Sequence, residues 1–158
     1  MNKYNFKTTA MKKVYNIFVP FKGFKCMTVW PFMFVRLEYK KKVSVVDETH
    51  ENIHGAQQQE MMTIIALLTF FLAFMGVLSY WWIITAPLWY FAFYGLEYVV
   101  RLFMYRFDAN MAYKNISFEQ EAFIHEGVEA YVKSRSVFAS FKYLRMTTFT
   151  TNSNNKNK

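Results

Sequence analysis

A long stretch without charged side chains restricts the fold of this chain more than any other feature. No Asp, Glu, Lys or Arg occurs between Glu60 and Glu97. A helix of about 20 apolar residues is long enough to cross a bilayer, so the stretch can supply one such helix and most of a second. Pro87 is well placed near the start of that second helix. We therefore predict an apolar helical hairpin over residues 61–105, in or on a membrane.

Basic residues flank this stretch on both sides. Ten Lys and Arg residues precede it and nine follow it, and the formal net charge is +8. Because positive residues favour the cytoplasmic side, both termini are predicted to lie there. Two alternatives stay open, since Glu97, Arg101 and Arg106 shorten the second apolar segment: the hairpin is buried in a soluble helical core, or it lies in the membrane interface.

Composition also excludes several classes of site and partner. The Lys residues are scattered and no compact recognition motif accompanies them, so nucleic acid is not an expected partner. The first 30 residues lack the uninterrupted apolar core of a secretory signal. A single Cys26 rules out an internal disulfide and a thiolate zinc cluster. Histidine and carboxylate side chains are then the realistic metal ligands.

The segments before the apolar stretch have two different periodicities. "KCMTVWPFMFVRLEYKKKVSVV" alternates bulky apolar residues with others, which predicts a short β-hairpin or edge strand. Pro31 within it indicates a sheet edge or a bulge. A helix is predicted from about Val46 through Phe74, with Asp47 or Thr49 as its N-cap.

The beginning of this helix contains the motif H-E-x-x-H. His50 and His54 are four residues apart, so both imidazoles lie on one helix face and can bind one tetrahedral ion. Glu51 lies beside that face and can accept a proton from a metal-bound water. The alternative interpretation is a group of capping and solvated polar residues at a helix start.

A catalytic site of this class needs a third protein ligand, and "SFEQEAF" offers two carboxylates. Glu119 is the predicted ligand, because E-x-x-A at Glu119 to Ala122 resembles the third-ligand helix of many His-His-Glu peptidases. Glu121 is the alternative, since two positions along a helix differ by about 200 degrees and only one of the two carboxylates can face the ion. The other carboxylate is predicted to orient a ligand imidazole. His125 is a candidate hydrogen-bond partner for Glu121, and Ser117 is the predicted cap of a helix that continues to Arg135.

The order of these motifs resembles a family of small bacterial and phage proteins described as zinc peptidases. The similarity covers roughly residues 27–144 and includes H-E-x-I-H-x-x-Q, A-Y-x-N-I-S-F-E-x-E-A and a final F-x-K-Y-L. It implies a minimal gluzincin-like core with His50 and His54 as zinc ligands, Glu51 as general base, and an acidic helix carrying Glu119 and Glu121. The same resemblance makes Gln57 the glutamine that follows the motif.

The chain departs from this family in two places. "MGVLSYWW" lengthens the apolar stretch, which favours a membrane location, and His125 occupies a position where relatives have Asn. The predicted function is a membrane-associated zinc metallopeptidase acting on a peptide or protein, with one domain over residues 1–146 and a disordered polar tail over 147–158. The alternative is a non-catalytic membrane or interaction protein that retains a structural or vestigial zinc site.

Overall fold

The computed structural model describes residues 11–16 and 24–145 and shows a mainly helical chain with a small three-stranded sheet. The fold class is thus confirmed at that level, while the predicted tail lies outside the described residues. The elements in chain order are β1 (Lys12–Asn16), β2 (Cys26–Val29), β3 (Phe32–Arg36), α1 (Val45–Phe74), α2 (Ala86–Met104), α3 (Ala109–Lys114), α4 (Ser117–His125) and α5 (Glu129–Ser134). Short 3-10 helices occupy Leu37–Tyr39, Tyr80–Thr85 and Ala139–Tyr143.

The sheet contains the predicted hairpin and one additional strand. Its order is β1-β3-β2, with β2 antiparallel and β1 parallel to the central β3. Pro31 lies in the turn between β2 and β3, not within a strand, because the alternating pattern is interrupted at the hairpin turn. As an edge strand, β2 packs against α1.

A capping box fixes the start of α1. Ser44 is the N-cap, and its hydroxyl oxygen accepts a hydrogen bond from the Asp47 amide at 3.1 Å. The Asp47 carboxylate in turn accepts from the Ser44 amide at 2.9 Å. The predictions of Asp47 or Thr49 as N-cap were therefore wrong, because Asp47 takes the reciprocal position three residues into the box. Such a cap stabilises a helix by about 1 kcal/mol.

Gly76 follows the last turn of α1, at the point where the apolar hairpin reverses direction. Its φ is +74°, a backbone conformation that side chains with a Cβ disfavour. The Val77 amide donates to the Leu72 carbonyl at 2.9 Å, and the Gly76 amide donates to the Ala73 carbonyl at 3.0 Å. This pair of bonds is a Schellman motif, which ends the helix and turns the chain towards α2.

The apolar hairpin is formed by the second half of α1 and by α2, which pack against each other. Pro87 lies in the first turn of α2, as predicted. Among the described helical segments, Tyr80–Met104 is long and apolar enough to cross a membrane. Little of this segment is buried. Many large apolar side chains of the hairpin are exposed, among them Phe71, Phe74, Trp81, Trp82, Leu88 and Leu96.

Glu97 joins α2 to the start of α4. Its carboxylate accepts hydrogen bonds from the Ser117 amide at 2.9 Å and the Ser117 hydroxyl at 2.6 Å. Glu97 also forms an ion pair with Arg101 at 3.2 Å, and Arg101 is buried and donates to the Leu144 carbonyl. Ser117 is thus the first residue of α4 and not its cap, which is Ile116. The carboxylate at this N-terminus replaces a side-chain cap.

The predicted helix from Ser117 to Arg135 is broken into two. α4 ends at His125, and Gly127 with a φ of +81° redirects the chain before α5 begins. The break was not predicted because an isolated glycine is compatible with a helical pattern. As a result Arg135 follows α5 and points back towards α1 and α4.

Candidate metal centre

The two histidines of the motif face each other on the first half of α1. The Nε2 atoms of His50 and His54 are 3.1 Å apart, and the ring centroids are 4.8 Å apart. This is the arrangement that the i, i+4 spacing predicts. His54 is buried and His50 is partly buried.

Glu119 on α4 completes a group of three potential ligands. Its Oε2 atom lies 3.5 Å from His50 Nε2, and its Oε1 atom lies 3.3 Å from His54 Nε2. Glu119 is 3% exposed, and its Oε2 atom has no hydrogen-bond partner. Among the described residues, His50, His54 and Glu119 are the group of His, Cys, Asp or Glu side chains that could hold a metal ion.

Both imidazoles are oriented through their other nitrogen atoms. His54 Nδ1 lies 2.9 Å from Gln57 Oε1, and His50 Nδ1 lies 3.1 Å from Glu126 Oε2. Because both partners are acceptors, each Nδ1 carries a proton, and each ring in its neutral form has its lone pair at Nε2. Two lone pairs and a carboxylate then converge on one small space, which attracts a cation.

The distances within this group fit zinc. Ligand atoms that are about 2.0–2.1 Å from a tetrahedral ion lie about 3.4 Å from one another. The two Nε2 atoms are 3.1 Å apart, and the Glu119 carboxylate lies 3.5 Å from His50 through Oε2 and 3.3 Å from His54 through Oε1. With one ligand atom from each residue, the three atoms lie within 4.8 Å of one another, and the unpartnered Glu119 Oε2 atom is available as a ligand.

The pKa shifts of His54 and Glu119 also favour a cation at this position. Burial lowers the pKa of His54, but the charge of Glu119 outweighs it and raises that pKa to about 9. For Glu119, burial opposes ionisation, yet the two histidines hold its pKa well below the ordinary value. The position between the rings is thus favourable for positive charge, whether a proton or a metal ion.

Glu51 lies in the same pocket as the three potential ligands. Its Oε2 atom accepts a hydrogen bond from the Thr28 hydroxyl at 2.6 Å, so β2 holds the carboxylate in place. Glu51 is largely buried. Thr28 was not predicted, because its contact with Glu51 joins segments 23 residues apart.

Gln57 and Glu121 form a second layer behind His54. The Gln57 amide donates to the Phe118 carbonyl and to Glu121 Oε2, each at 3.0 Å, which leaves Gln57 Oε1 directed at His54. Glu121 is fully buried and accepts from Arg135 Nε at 2.8 Å. Of the two predicted carboxylates, Glu119 therefore lies beside the imidazoles and Glu121 is turned away.

Arg135 anchors this second layer. Besides its bonds to Glu121, its guanidinium donates to Glu60 Oε1 on α1. The Glu60 carboxylate also accepts from the Phe138 amide at 3.1 Å. One buried cation thus holds two carboxylates from two helices. Sequence reasoning placed Arg135 at a helix end and missed this contact.

His125 lies outside the group. Its ring stacks on Tyr131 with centroids 3.6 Å apart, and its Nε2 atom is 2.9 Å from the Tyr143 hydroxyl. The predicted hydrogen bond to Glu121 is made by Tyr131 instead, at 3.0 Å. Burial lowers the pKa of His125, and Glu121 opposes that shift.

The ligand group lies in a pocket of about 640 Å³. The α2 wall carries Tyr90, Tyr94 and Tyr98, spaced four residues apart, and the Tyr94 hydroxyl donates to Glu119 Oε1 at 2.9 Å. These tyrosines were not predicted as site residues, although their spacing is visible in the sequence. The remaining lining residues are Phe24, Cys26, Met27, Thr28, Gln58, Phe91, Ala109, Asn110 and Tyr113, with His50, Glu51, His54 and Glu119.

Comparison with known proteins does not assign the site. No protein-family model, curated protein or solved structure matches this chain. The family resemblance given above therefore stays a prediction, and the functional argument depends on the geometry.

Proposed function

We propose that this chain is a membrane-associated, zinc-dependent peptidase. The observation that carries the proposal is the convergence of His50 Nε2, His54 Nε2 and the Glu119 carboxylate, next to Glu51 in one pocket. A two-histidine helix, a glutamate helix and an adjacent edge strand are the elements expected of a small gluzincin-like core.

In this proposal His50, His54 and Glu119 hold the zinc ion. When bound, zinc acts as a Lewis acid and lowers the pKa of water to about 7. Gln57 and Glu126 keep the Nδ1 protons in place, so that both Nε2 lone pairs stay directed at the ion.

Glu51 is proposed to move the proton. Its carboxylate accepts a proton from the attacking water and delivers it to the nitrogen of the leaving amine. The Thr28 hydroxyl orients the Glu51 carboxylate by donating a hydrogen bond to its Oε2 atom. The tyrosine hydroxyl of Tyr94, which already reaches Glu119, limits how that ligand can rotate.

The edge strand β2 is a candidate docking site for the peptide. It lies at the edge of the sheet, its residues Cys26, Met27 and Thr28 line the pocket, and strand addition holds peptides by backbone hydrogen bonds. Gln58 on α1 already bonds the Thr28 carbonyl at 2.9 Å and the Trp30 amide at 2.8 Å. The part of the edge left for a peptide is therefore its beginning, near Cys26.

Membrane association is supported by length, exposure and flanking charge. The run Tyr80–Met104 is apolar and mostly exposed, and basic residues flank the hairpin on both sides. Because His50 and Glu119 precede and follow the hairpin, the proposal places the site at the cytoplasmic surface of the membrane.

A structural zinc site without catalysis is the competing function. Structural sites usually have four protein ligands, whereas catalytic sites have three and an open position. Across residues 11–16 and 24–145 the group has three members and opens into a pocket, which favours catalysis.

The Glu51→Gln variant tests the proposal. We expect it to keep zinc but to lose at least about a hundredfold in peptide hydrolysis, since general acid–base catalysis contributes about 10²–10⁴-fold. Glu48→Gln is the matched control, because Glu48 lies in the same helix but pairs with Lys13 at the surface. Equal hydrolysis by wild type and Glu51→Gln would reject the peptidase mechanism.

A further inference from the structure

We infer that the substrate is a polypeptide with bulky apolar side chains next to the scissile bond. The inference rests on the proposed peptidase function and adds its specificity. It follows from the residues that line the pocket and from the exposed apolar surface of the hairpin next to it.

The wall of the pocket formed by α2 is aromatic. Tyr90, Phe91, Tyr94 and Tyr98 line it. Tyr90 is buried, and Tyr94 directs its hydroxyl at Glu119. The Tyr90 hydroxyl donates to Gln57 Oε1 at 3.3 Å, so the hydroxyls of Tyr90 and Tyr94 face the metal group, and the Phe91 ring, 42% exposed, is the part of this wall most accessible to a substrate. Aromatic rings bind bulky apolar groups through large contact areas.

Another part of the pocket lining comes from the segment around β2. Met27 and Phe24 line the pocket here, and the Phe24 ring packs edge-on against Tyr113 at 5.7 Å. Methionine adapts to apolar groups of different shape. A side chain that enters the pocket can therefore contact apolar groups from α2 and from the β2 segment.

Charged side chains have no partner in this space. No Lys, Arg or Asp from the described part of the chain lines the pocket, and its two carboxylates have other roles, since Glu51 accepts a hydrogen bond from Thr28 and Glu119 is the proposed zinc ligand. Burying an unpaired charge is costly, so Lys, Arg, Asp or Glu beside the scissile bond is disfavoured.

The apolar wall continues onto the exposed surface of the hairpin. Phe91 lines the pocket and is 42% exposed, and Leu88, one turn earlier in α2, is 65% exposed. A substrate segment can thus pass from the apolar surface into the pocket along one helix. This continuity favours an apolar segment of several residues over a single apolar side chain.

Cleavage of a peptide mixture tests the inference. Zinc-loaded wild type in neutral detergent is incubated with a defined mixture of peptides covering all residue types, and mass spectrometry identifies the cut positions. Glu51→Gln treated in parallel defines the background. We expect Phe, Leu, Met, Tyr or Trp to flank cuts at least about tenfold more often than Asp, Glu, Lys or Arg.

The results separate the two proposals. Cuts flanked equally often by charged residues would overturn this inference and leave the peptidase function intact. Absence of any cut beyond the Glu51→Gln background would overturn the peptidase function and this inference with it.

A pair of matched variants tests the pocket wall itself. Phe91→Ala should lower kcat/KM for a Phe-containing peptide several-fold, with zinc content unchanged. Phe93→Ala is the control, because Phe93 is on the same helix and is equally exposed at 42% but does not line the pocket. Equal effects of both substitutions would contradict the assignment of the wall to the substrate.

Discussion

At the scale of single residues, the site depends on which atoms face one another. The spacing of His50 and His54 predicted their common face, since helix geometry is local. The contacts from Thr28 and Glu126 could not be predicted, because tertiary packing brings them to Glu51 and His50 from distant segments. The sequence predicted Glu119 with Glu121 as the alternative, and the rotation of α4 brings Glu119 close to the imidazoles.

Exchange of either glutamate for glutamine tests that choice. Glu119→Gln removes a carboxylate next to both imidazoles and should abolish stoichiometric zinc binding. Glu121→Gln keeps the ligand group and should weaken zinc binding by about 10–100-fold through its effect on Gln57. Zinc affinity is measured by competition with a chromophoric chelator. If Glu121→Gln loses zinc binding while Glu119→Gln only weakens it, Glu121 is the ligand.

The protonation of His54 predicts a pH dependence. In the metal-free protein its pKa is raised from 6.5 to about 9, because the charge of Glu119 outweighs burial. A raised folded-state pKa contributes stability that is fully present below about pH 6.5 and is lost as the pH rises through about 9. In our proposal, a zinc ion held by His54 would take the place of that proton.

We therefore expect the Tm of the chelator-treated protein to fall between pH 6.5 and 9 more than that of zinc-loaded protein. Differential scanning calorimetry of both forms across this range measures the difference. Parallel curves for the two forms would show that zinc does not replace the proton on His54.

At the scale of elements, the site is held by links between helices. The start and length of α1 were predicted to within a residue or two, because periodicity and the charge pattern are local signals. The division of α4 from α5 was missed, and with it the return of Arg135 to Glu60 and Glu121. Such a contact depends on where the chain turns at Gly127, which periodicity does not encode.

Removing the Arg135 cation should destabilise this arrangement. Arg135→Met leaves two buried carboxylates without their cation, and breaking a buried pair in this way costs about 3–5 kcal/mol. Lys133→Met is the control, since Lys133 is exposed on α5 and its replacement should change stability by no more than about 0.5 kcal/mol. Urea denaturation in detergent gives both values. If both variants lower the free energy of unfolding by a similar small amount, the Arg135 ion pairs do not contribute to the stability of the folded core.

At the scale of the whole molecule, a polar site lies beside a large apolar surface. Composition predicted the hairpin, because a long stretch without charge has few other structures available. Whether the hairpin spans a bilayer or lies on it depends on lipid contacts that composition alone does not specify. The exposed surface of Tyr80–Met104 makes membrane binding the expected behaviour of the full chain.

Vesicle flotation measures that behaviour. Wild type should float with vesicles containing anionic lipid and should resist extraction by high salt. Ala92→Arg places a charge at an exposed position near the middle of Tyr80–Met104, which costs about 2.5–3.5 kcal/mol in a bilayer and should greatly reduce flotation. Ala130→Arg, exposed on α5, should float like wild type. Wild type that stays with the soluble fraction would refute membrane association.

Zinc content is the most direct test of the central claim. Mass spectrometry of metals on detergent-purified protein compares wild type with the His50→Ala/His54→Ala double variant, and His125→Ala serves as the histidine control because its ring lies outside the ligand group. We expect about one zinc per chain in wild type and His125→Ala and none in the folded double variant. Absence of zinc from wild type after reconstitution, or its retention by the double variant, would contradict the account.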